Sequence, residues 1–226
     1  LWFEDVRKSD PQLADSVHVM NPFFYQLLKQ QNGGYRNVQR WTAKVDIFSK
    51  KYIVVPINED YHWYLAIIYE PEHVLRNSNL QKKTGLQNPP KCTHILTFDS
   101  LGYNRTETII SLGEYLRKEA MDKKGCLAYH KAVGRQVNVP LQDNYTDCGL
   151  YVIQFTHVFV GATEDFIRGI TSIQKNKKLS KSELRERWKV HEVAERRDRL
   201  SDRITELSAA WQATEKATEK SNHLCE

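Results

Sequence analysis

Two apolar runs near the middle of the chain constrain its fold more than any other feature. Residues 52–57 are rich in β-branched side chains and predict a strand. Residues 63–69 form a nearly continuous apolar and aromatic run, which is typical of a strand buried on both faces. Asn58, Glu59 and Asp60 separate the two runs and predict a turn. The chain therefore contains a sheet that other elements must cover.

Further segments supply the rest of a layered domain. Residues 94–98 predict another strand, residues 106–124 an amphipathic helix, and residues 137–139 a short strand that ends at Pro140. From Asp147 onward we expect a helix with more apolar side chains than a surface helix carries. The predicted fold is a mixed sheet packed by helices, in the α+β or α/β class.

The chain divides near residue 174 into two regions that differ in composition and predicted secondary structure. Residues 1–174 mix predicted strands, turns and helices, and a polar stretch at about 70–91 is interpreted as a surface insertion. Residues 175–226 contain no glycine or proline and predict one long charged helix. Residues 175–203 hold 11 basic and 6 acidic side chains and so carry the whole net charge of +5. A basic excess confined to one segment argues against a nucleic-acid-binding body.

The composition disfavours several kinds of protein. No stretch approaches the roughly 18 apolar residues of a membrane helix. The four cysteines include no Cys-x-x-Cys pair, and the eight histidines include no pair at zinc-finger spacing, so we expect neither a metal site nor a cofactor. So few cysteines in a chain of this size favour a reducing, intracellular compartment over a disulfide framework.

Cys148 is the cysteine that is best placed for chemistry. It lies at the predicted start of the apolar helix, where the positive end of the helix dipole favours a thiolate. Gly149 follows it and leaves room for a substrate backbone to approach. Considered alone, this position is more typical of a buried structural cysteine at a helix start.

His62 and Asp99 are candidate partners for that thiol. His62 precedes one predicted strand, and Asp99 follows another. An acid at the end of a buried strand needs a partner, and an imidazole at a neighbouring strand end would supply one. A catalytic thiol needs such a base, and the base needs an acceptor on its other nitrogen. Taken singly, His62 could be a strand-edge histidine bonded to backbone, and Asp99 a turn aspartate.

Gln142 is the candidate for a further catalytic role. It lies six residues before Cys148, in a polar loop long enough to fold back towards the thiol. Its side-chain amide could then donate a hydrogen bond to a developing oxyanion.

Four blocks of sequence together resemble a known family. In chain order they are Asn21-Pro22-Phe23-Phe24-Tyr25, His62-Trp63, Phe98-Asp99-Ser100-Leu101 and Gln142-x-Asn144-x-x-Asp147-Cys148-Gly149. In this order they resemble the ubiquitin-like-protein-specific proteases, and within them the SUMO (sentrin) proteases. The resemblance implies an α+β, papain-like cysteine protease fold, with a central mixed sheet flanked by helices and a long C-terminal helix in addition.

The resemblance also implies a role for each candidate residue. Cys148 would attack the carbonyl after the modifier's terminal Gly-Gly, His62 would carry the proton, and Asp99 would orient His62. Gln142 and the Cys148 backbone amide would form the oxyanion hole. Trp63 would cover the Gly-Gly tail in a narrow tunnel, because only residues without side chains fit beneath an indole. Core packing is the alternative role for Trp63.

A finer resemblance points to the branch that trims poly-SUMO chains. It is carried by residues 41–48, 52–58 and 62–69 and by the polar insertion at about 70–91. The family's Leu-Asn-Asp segment, which helps to bind the modifier, would lie before Leu1, so modifier affinity stays open. The implied partners are SUMO and poly-SUMO conjugates, without direct nucleic-acid or membrane binding, and the implied location is the nucleus.

Two alternatives to a SUMO protease remain. The chain could act on another Gly-Gly-ended modifier, such as NEDD8, or it could be a SUMO-binding scaffold without catalysis. The complete set of His62, Asp99, Gln142 and Cys148 argues against the scaffold, because a binding module has no use for a poised thiol.

A heptad-like seam marks the C-terminal region. Its members, at 3-4 spacing, are Val190, Val193, Arg197, Leu200, Ile204, Leu207 and Trp211. The seam could support a coiled coil through about residues 190–211, or it could pack on the chain's own domain. Arg197 interrupts the apolar pattern.

Overall fold

The computed structural model of this protein describes residues 2–75, 91–125, 131–172 and 179–223. The helices are α1 (Trp2–Ser9), α2 (Pro11–Ser16), α3 (Phe24–Leu28), α4 (Tyr35–Val38), α5 (Thr106–Lys124), α6 (Cys148–Val160), α7 (Glu164–Thr171), α8 (Lys181–Arg187) and α9 (Glu192–His223). The strands are β1 (Val17–Val19), β2 (Tyr52–Glu59), β3 (His62–Tyr69), β4 (His94–Phe98) and β5 (Val133–Gln136). Short 3-10 turns lie at Ile47–Ser49 and Pro71–Leu75.

The five strands form one mixed sheet in the order β1-β2-β3-β4-β5. β2, β3 and β4 run antiparallel to one another, whereas β1 and β5 pair in parallel with β2 and β4 at the two edges. Asp60 and Tyr61 connect β2 to β3 with φ angles of 51° and 61°, the left-handed backbone that a two-residue hairpin turn requires. The predicted mixed sheet is confirmed.

Both faces of the sheet are buried, as the apolar run of β3 predicts. One face packs against α6, through side chains such as Leu65 and Phe98 of the sheet and Phe155 and Phe159 of the helix. The other face, including Val55 and Ile68, packs against α5 and the N-terminal elements. Two helical layers therefore cover the sheet, and the α+β class is confirmed.

The fourth predicted strand is displaced in the structure. We predicted it at residues 137–139, but β5 ends at Gln136. β5 pairs with β4 up to the Thr97–Gln136 position, and the Val137 N–H still donates to Thr97 O at 2.8 Å. β4 ends one residue later at Phe98, so the chain beyond Val137 loses its partner strand. Val137 and Val139 remain buried, which explains the apolar signal.

The predicted long C-terminal helix is confirmed as α9, but it does not extend back to residue 175. The described part forms two helices, α8 and α9, separated by a turn in which Lys189 has a φ of 50°. The turn arises because Trp188, 1% exposed, enters the core beside α6. The buried Gln154 side chain of α6 donates to the Trp188 and Lys189 carbonyls, both at 3.0 Å, and so satisfies the freed backbone.

The C-terminal seam divides into two parts. Val190 and Val193 are buried in the core, and Leu200 packs against it. Further along α9, Ile204 and Trp211 are 56% and 67% exposed. The domain boundary at residue 174 stays a prediction, although side chains from residues 184–193 belong to the core.

Two further observations complete the fold. The polar insertion at about 70–91 lies largely outside the described residues, which resume at residue 91. No helix within the described ranges combines the length and the apolar character needed to cross a membrane.

Candidate active site

A histidine and an aspartate meet at one end of the sheet. His62 is the first residue of β3, and Asp99 follows the last residue of β4. Because β3 and β4 are antiparallel neighbours, the start of one lies beside the end of the other. His62 Nε2 lies 2.9 Å from Asp99 Oδ1, and both side chains are buried. This is the contact that the two strand ends predict.

The Asp99 carboxylate has two further donors. The Leu101 backbone N–H donates to Oδ1 at 2.8 Å, and the Arg105 guanidinium donates through Nε to Oδ2 at 2.6 Å. Three donors, one of them charged, compensate a carboxylate that is wholly shielded from water. Asp99 is therefore fixed in position before any substrate arrives.

These bonds determine which nitrogen of His62 is available for chemistry. A carboxylate beside an arginine accepts hydrogen bonds, so His62 Nε2 donates to Asp99. The neutral ring then carries its lone pair on Nδ1, at the opposite side of the imidazole. Nδ1 of His62 is therefore the ring nitrogen that is not engaged by Asp99.

Arg105 links the pair to a wider network. Its guanidinium carbon lies 3.8 Å from the centre of the Tyr64 ring, and Nη1 lies 3.7 Å from Glu59 Oε2. The Tyr64 hydroxyl donates to the same Glu59 oxygen at 2.5 Å. The Lys29 ammonium lies 2.7 Å from Glu59 Oε1. Stacking and ion pairing together leave the Arg105 side chain little freedom to move.

Two pKa shifts follow from this network. Burial, reinforced by the hydrogen bond to Glu59, raises the pKa of the Tyr64 hydroxyl, which therefore stays a donor. Burial alone would raise the pKa of Glu59. The hydrogen bonds from Lys29 and Tyr64, together with the charges of Lys29 and Arg105, outweigh it and lower the pKa below its ordinary 4.5. The network therefore keeps a carboxylate beside the arginine.

Cys148 is the first residue of α6 and is 6% exposed. The helix packs along β3, the strand that His62 begins. Cys148 therefore lies at the amino end of α6, among the free backbone N–H groups of the first helical turn. No described atom lies within 4 Å of the point where a Cβ on Gly149 would lie. The backbone beside the thiol therefore faces open space.

Gln142 connects the Asp99 turn to the loop before Cys148. Its backbone N–H donates to Ser100 O at 2.9 Å, and the Ser100 hydroxyl donates to Gln142 Oε1 at 2.5 Å. Gln142 Nε2 donates to Asn144 O at 2.5 Å. An amide nitrogen carries two N–H groups, so a second donor remains on Nε2. The Ser100 bond fixes which end of the amide is the donor.

Asn144 shapes the rest of the same loop. Its Oδ1 accepts from the backbone N–H groups of Thr146 and Asp147, both at 2.9 Å. Its Nδ2 donates to Asp147 Oδ2 at 2.8 Å. One side chain therefore replaces backbone partners across three residues and brings the chain to the start of α6 in a defined conformation.

Trp63 is half-buried and follows His62 in β3. Its side chain packs against the core cluster that includes Leu150 and Tyr151 of α6. Part of the side chain thus packs against the core, and part remains accessible. This position is compatible with both roles considered for it, a cover over a substrate tail and core packing.

Among the residues that the structure describes, no group of three or more histidine, cysteine, aspartate or glutamate side chains is placed to hold a metal ion. Cys92 and Cys148, the two cysteines in that part of the chain, are free thiols. A thiol, an imidazole, a carboxylate and an amide donor are the functional groups available, and they suit acyl transfer.

Comparison with known proteins places this arrangement in a family. Residues 1–194 match the model described as the Ulp1 protease family, C-terminal catalytic domain. The chain belongs to this family. This match confirms the resemblance drawn from the sequence blocks.

Individual relatives agree with this assignment. Ubiquitin-like-specific protease 2 of Schizosaccharomyces pombe is 33% identical over 229 residues, which cover 91% of this chain and 36% of the relative. Ubiquitin-like-specific protease 2 of Saccharomyces cerevisiae is 35% identical over 147 residues, covering 62% of this chain and 14% of the relative. The chain therefore spans about a third or less of the length of these two relatives.

A solved structure supports the fold. The crystal structure of a de-sumoylating protease matches with a TM-score of 0.69 and 29% sequence identity, covering 88% of this chain and 73% of that protein. The mixed sheet with flanking helices is thus the fold of a protease of this family.

Sequence reasoning missed two residues of the site. No sequence pattern pointed to Arg105, because its contact with Asp99 depends on how the turn after β4 folds. Asn144 was visible only as part of the Gln-x-Asn-x-x-Asp-Cys-Gly block and was given no role of its own. Asparagine is a residue that organises turns through its side chain, so that position did carry a usable signal.

Proposed function

We propose that this chain is the catalytic domain of a cysteine protease that cleaves after the C-terminal Gly-Gly of SUMO. It would remove SUMO, or SUMO units of poly-SUMO chains, from target lysines. The observation that carries the proposal is the 2.9 Å contact between His62 Nε2 and Asp99 Oδ1, in a chain that belongs to the Ulp1 protease family. The names of the relatives and of the solved structure support a ubiquitin-like substrate.

Acylation is the first half of the proposed reaction. His62 Nδ1 takes the proton of Cys148, and the sulfur attacks the carbonyl carbon of the terminal glycine. The carbonyl oxygen becomes an oxyanion that accepts from the Cys148 backbone N–H and from the free N–H of Gln142 Nε2. His62 then gives its proton to the leaving lysine amine, and the C–N bond breaks. Asp99 holds the imidazolium throughout this half.

Deacylation returns the enzyme to its starting state. His62 Nδ1 takes a proton from water, and the hydroxide attacks the thioester carbon. The second oxyanion accepts from the same two N–H donors. The C–S bond breaks, the sulfur recovers a proton from His62, and the modifier leaves as a carboxylic acid, which then releases its proton to water. No oxidant or other cofactor enters the balance.

We assign recognition of the Gly-Gly tail to Trp63 and infer the preferred type of substrate from the sequence resemblance. A half-buried indole beside His62 can cover a Gly-Gly tail, which has no side chains to clash with it. The preference for poly-SUMO chains is inferred from residues 41–48, 52–58 and 62–69, which resemble the chain-trimming branch. A nuclear location is inferred from the same resemblance.

The C-terminal segment bears on two further partner predictions. We expect no direct nucleic-acid binding, because several arginines of the basic segment are engaged in ion pairs, such as Arg185 with Asp143 and Arg196 with Glu192. Self-association through about residues 190–211 stays a prediction. Light scattering of the chain with and without residues 201–226 tests it while leaving Trp188 in the core. A monomer in both cases would contradict it.

Activity-based probes test the substrate class. The chain is incubated with vinyl-sulfone forms of SUMO, NEDD8 and ubiquitin, and the adduct is mapped by mass spectrometry. We expect SUMO labelling at Cys148, its loss in Cys148→Ser, and its retention in Cys92→Ser, a matched change at the other described cysteine. Labelling by the NEDD8 probe alone would overturn the substrate assignment. Faster cleavage of a SUMO–SUMO isopeptide bond than of a SUMO bond to another protein would support the chain-trimming activity.

A further inference from the structure

The arginine that interrupts the C-terminal seam reaches the residue before the nucleophile. Arg197 lies on α9, 50 residues after Asp147 in sequence, and its guanidinium forms an ion pair with Asp147 Oδ1. An apolar side chain at this heptad position would suit a coiled coil better. The contact with Asp147 gives a physical reason for a charged residue there.

A second arginine holds the other end of the same loop. Arg185, on α8, has Nη2 3.0 Å from Asp143 Oδ2 and Nη1 3.5 Å from the Leu141 carbonyl oxygen. Asp143 follows Gln142, the proposed oxyanion donor. Two guanidinium groups therefore hold the loop of residues 141–147, one bound to the residues on either side of Gln142 and one bound to the residue before Cys148.

Both arginines lie on helices joined by the turn between α8 and α9, and this turn is attached to α6, the helix that begins with Cys148. Gln154 of α6 is 0% exposed and donates to the carbonyls of the turn between α8 and α9. Its carbonyl oxygen accepts from Arg196, which also lies 3.1 Å from Glu192 Oε2. Trp188 of the same turn is buried against α6. The C-terminal segment and the helix that begins with Cys148 therefore form one packed unit.

The charge of Asp147 makes the Arg197 contact relevant to the thiol. Within the described residues the Asp147 side chain gives α6 no capping hydrogen bond; it turns instead to Asn144 and Arg197. The guanidinium offsets the charge of the carboxylate that precedes the nucleophile in sequence. The same contact holds the loop in place.

We propose that Arg197, assisted by Arg185, is a positioning residue that holds the 141–147 loop and Cys148 ready for reaction. Helices α8 and α9 then belong to the catalytic domain and help to arrange its active site. This inference rests on the proposed function for its catalytic consequence. The reactivity of the Cys148 thiol towards a small alkylating agent tests it separately.

The test compares Arg197→Ala and Arg197→Glu with Asp147→Arg and with the charge-swapped double variant. Arg199→Ala is the matched control, because Arg199 lies on the same helix and contacts Glu195 at the surface. Three quantities are measured: kcat and KM on a SUMO substrate with a fluorogenic C-terminal amide, the iodoacetamide alkylation rate of Cys148 by peptide mass spectrometry, and the melting temperature.

Arg197→Ala should lower kcat on the order of tenfold, below the roughly 100-fold that a 1 Å misplacement of reacting groups costs. The alkylation rate near neutral pH should fall with it, while KM and the melting temperature change little. Arg197→Glu should be worse, and the charge swap should recover part of both rates. Unchanged rates in Arg197→Ala would overturn the inference, as would losses that follow the melting temperature and are not recovered by the swap. If the wild type cleaves no SUMO substrate, the alkylation series still decides the inference.

Discussion

The Ser100 hydroxyl donates a 2.5 Å hydrogen bond to Gln142 Oε1 and so ties the turn that carries Asp99 to the loop that leads to Cys148. Asp99 and Ser100 are adjacent in sequence, whereas Gln142 is 42 residues away. One bond therefore couples the acid of the proposed triad to the proposed oxyanion donor. It also orients the Gln142 amide with its nitrogen available for donation.

This relationship predicts two graded losses of activity. Gln142→Ala removes a donor to the oxyanion and should lower kcat by about 100- to 1000-fold, with little change in KM. Ser100→Ala leaves the amide in place but frees its orientation. It should cost about fivefold in kcat, equivalent to the ~1 kcal/mol of a typical hydrogen bond. Steady-state kinetics on a fluorogenic SUMO substrate measures both.

Gln39→Ala is the control for these variants, since the Gln39 amide donates to Asp122 near the far end of α5. It should retain wild-type kinetics. Equal losses in Ser100→Ala and Gln39→Ala would show that the Ser100 bond has no specific part in catalysis.

Arg105 should contribute strongly to stability. Its side chain is 15% exposed and pairs with the fully buried Asp99 carboxylate. Arg105→Met would leave that charge without its cation, which typically costs about 3–5 kcal/mol. Urea denaturation measures the change in unfolding free energy. Arg117→Met, at an exposed position of α5, should stay within about 0.5 kcal/mol of the wild type. A loss below about 1 kcal/mol in Arg105→Met would contradict the assigned role.

Trp188 should be essential to the core although it lies in the charged C-terminal region. Its ring contacts Phe98, Phe155 and Phe166 with centroid separations of 5.7, 5.3 and 5.5 Å. Trp188→Ala should cost about 3–5 kcal/mol, measured by urea denaturation. Trp211→Ala, a matched change at a residue that is 67% exposed, should cost less than about 0.5 kcal/mol. Similar values for the two variants would show that residues beyond 174 fold separately.

Stability should fall as the pH drops below the ordinary histidine pKa. Burial lowers the pKa of His18, His94 and His157 below 6.5. A nearby cation lowers each pKa further: Lys50 acts on His18, Arg135 on His94 and Arg196 on His157. Below pH 6.5 the unfolded chain binds protons that the folded chain does not, so acid favours unfolding. The stability that these histidines contribute is fully present above pH 6.5. It is lost as the pH falls from 6.5 through their lowered folded-state pKa values.

The His94→Gln variant isolates one part of that dependence. It removes the His94 contribution, so the melting temperature of the wild type should approach that of the variant as the pH falls from 8 to 5. Differential scanning calorimetry at several pH values measures the gap. A gap that stays constant with pH would contradict the assigned burial effect.

The parts of the fold that were predictable are those governed by local pattern. β3, β4 and α5 follow from apolar runs and an amphipathic period, and they hold His62 and Asp99 at strand ends. β5 was misplaced because its pairing depends on where β4 stops. The break between α8 and α9 depends on Gln154 and Trp188 meeting in the core, and the contact between Arg105 and Asp99 depends on a turn. None of these three is encoded in neighbouring residues.

The rate of SUMO cleavage by variants that each lack one proposed triad member tests most directly whether this chain is a cysteine protease. Wild type, Cys148→Ser, His62→Ala and Asp99→Asn are compared by kcat/KM on a fluorogenic SUMO substrate, with folding checked by circular dichroism. Cys148→Ser and His62→Ala should each lose at least about 1000-fold, and combining them should add little, because the residues act as a unit. A folded Cys148→Ser protein that cleaves as fast as the wild type would contradict the account and favour a SUMO-binding scaffold.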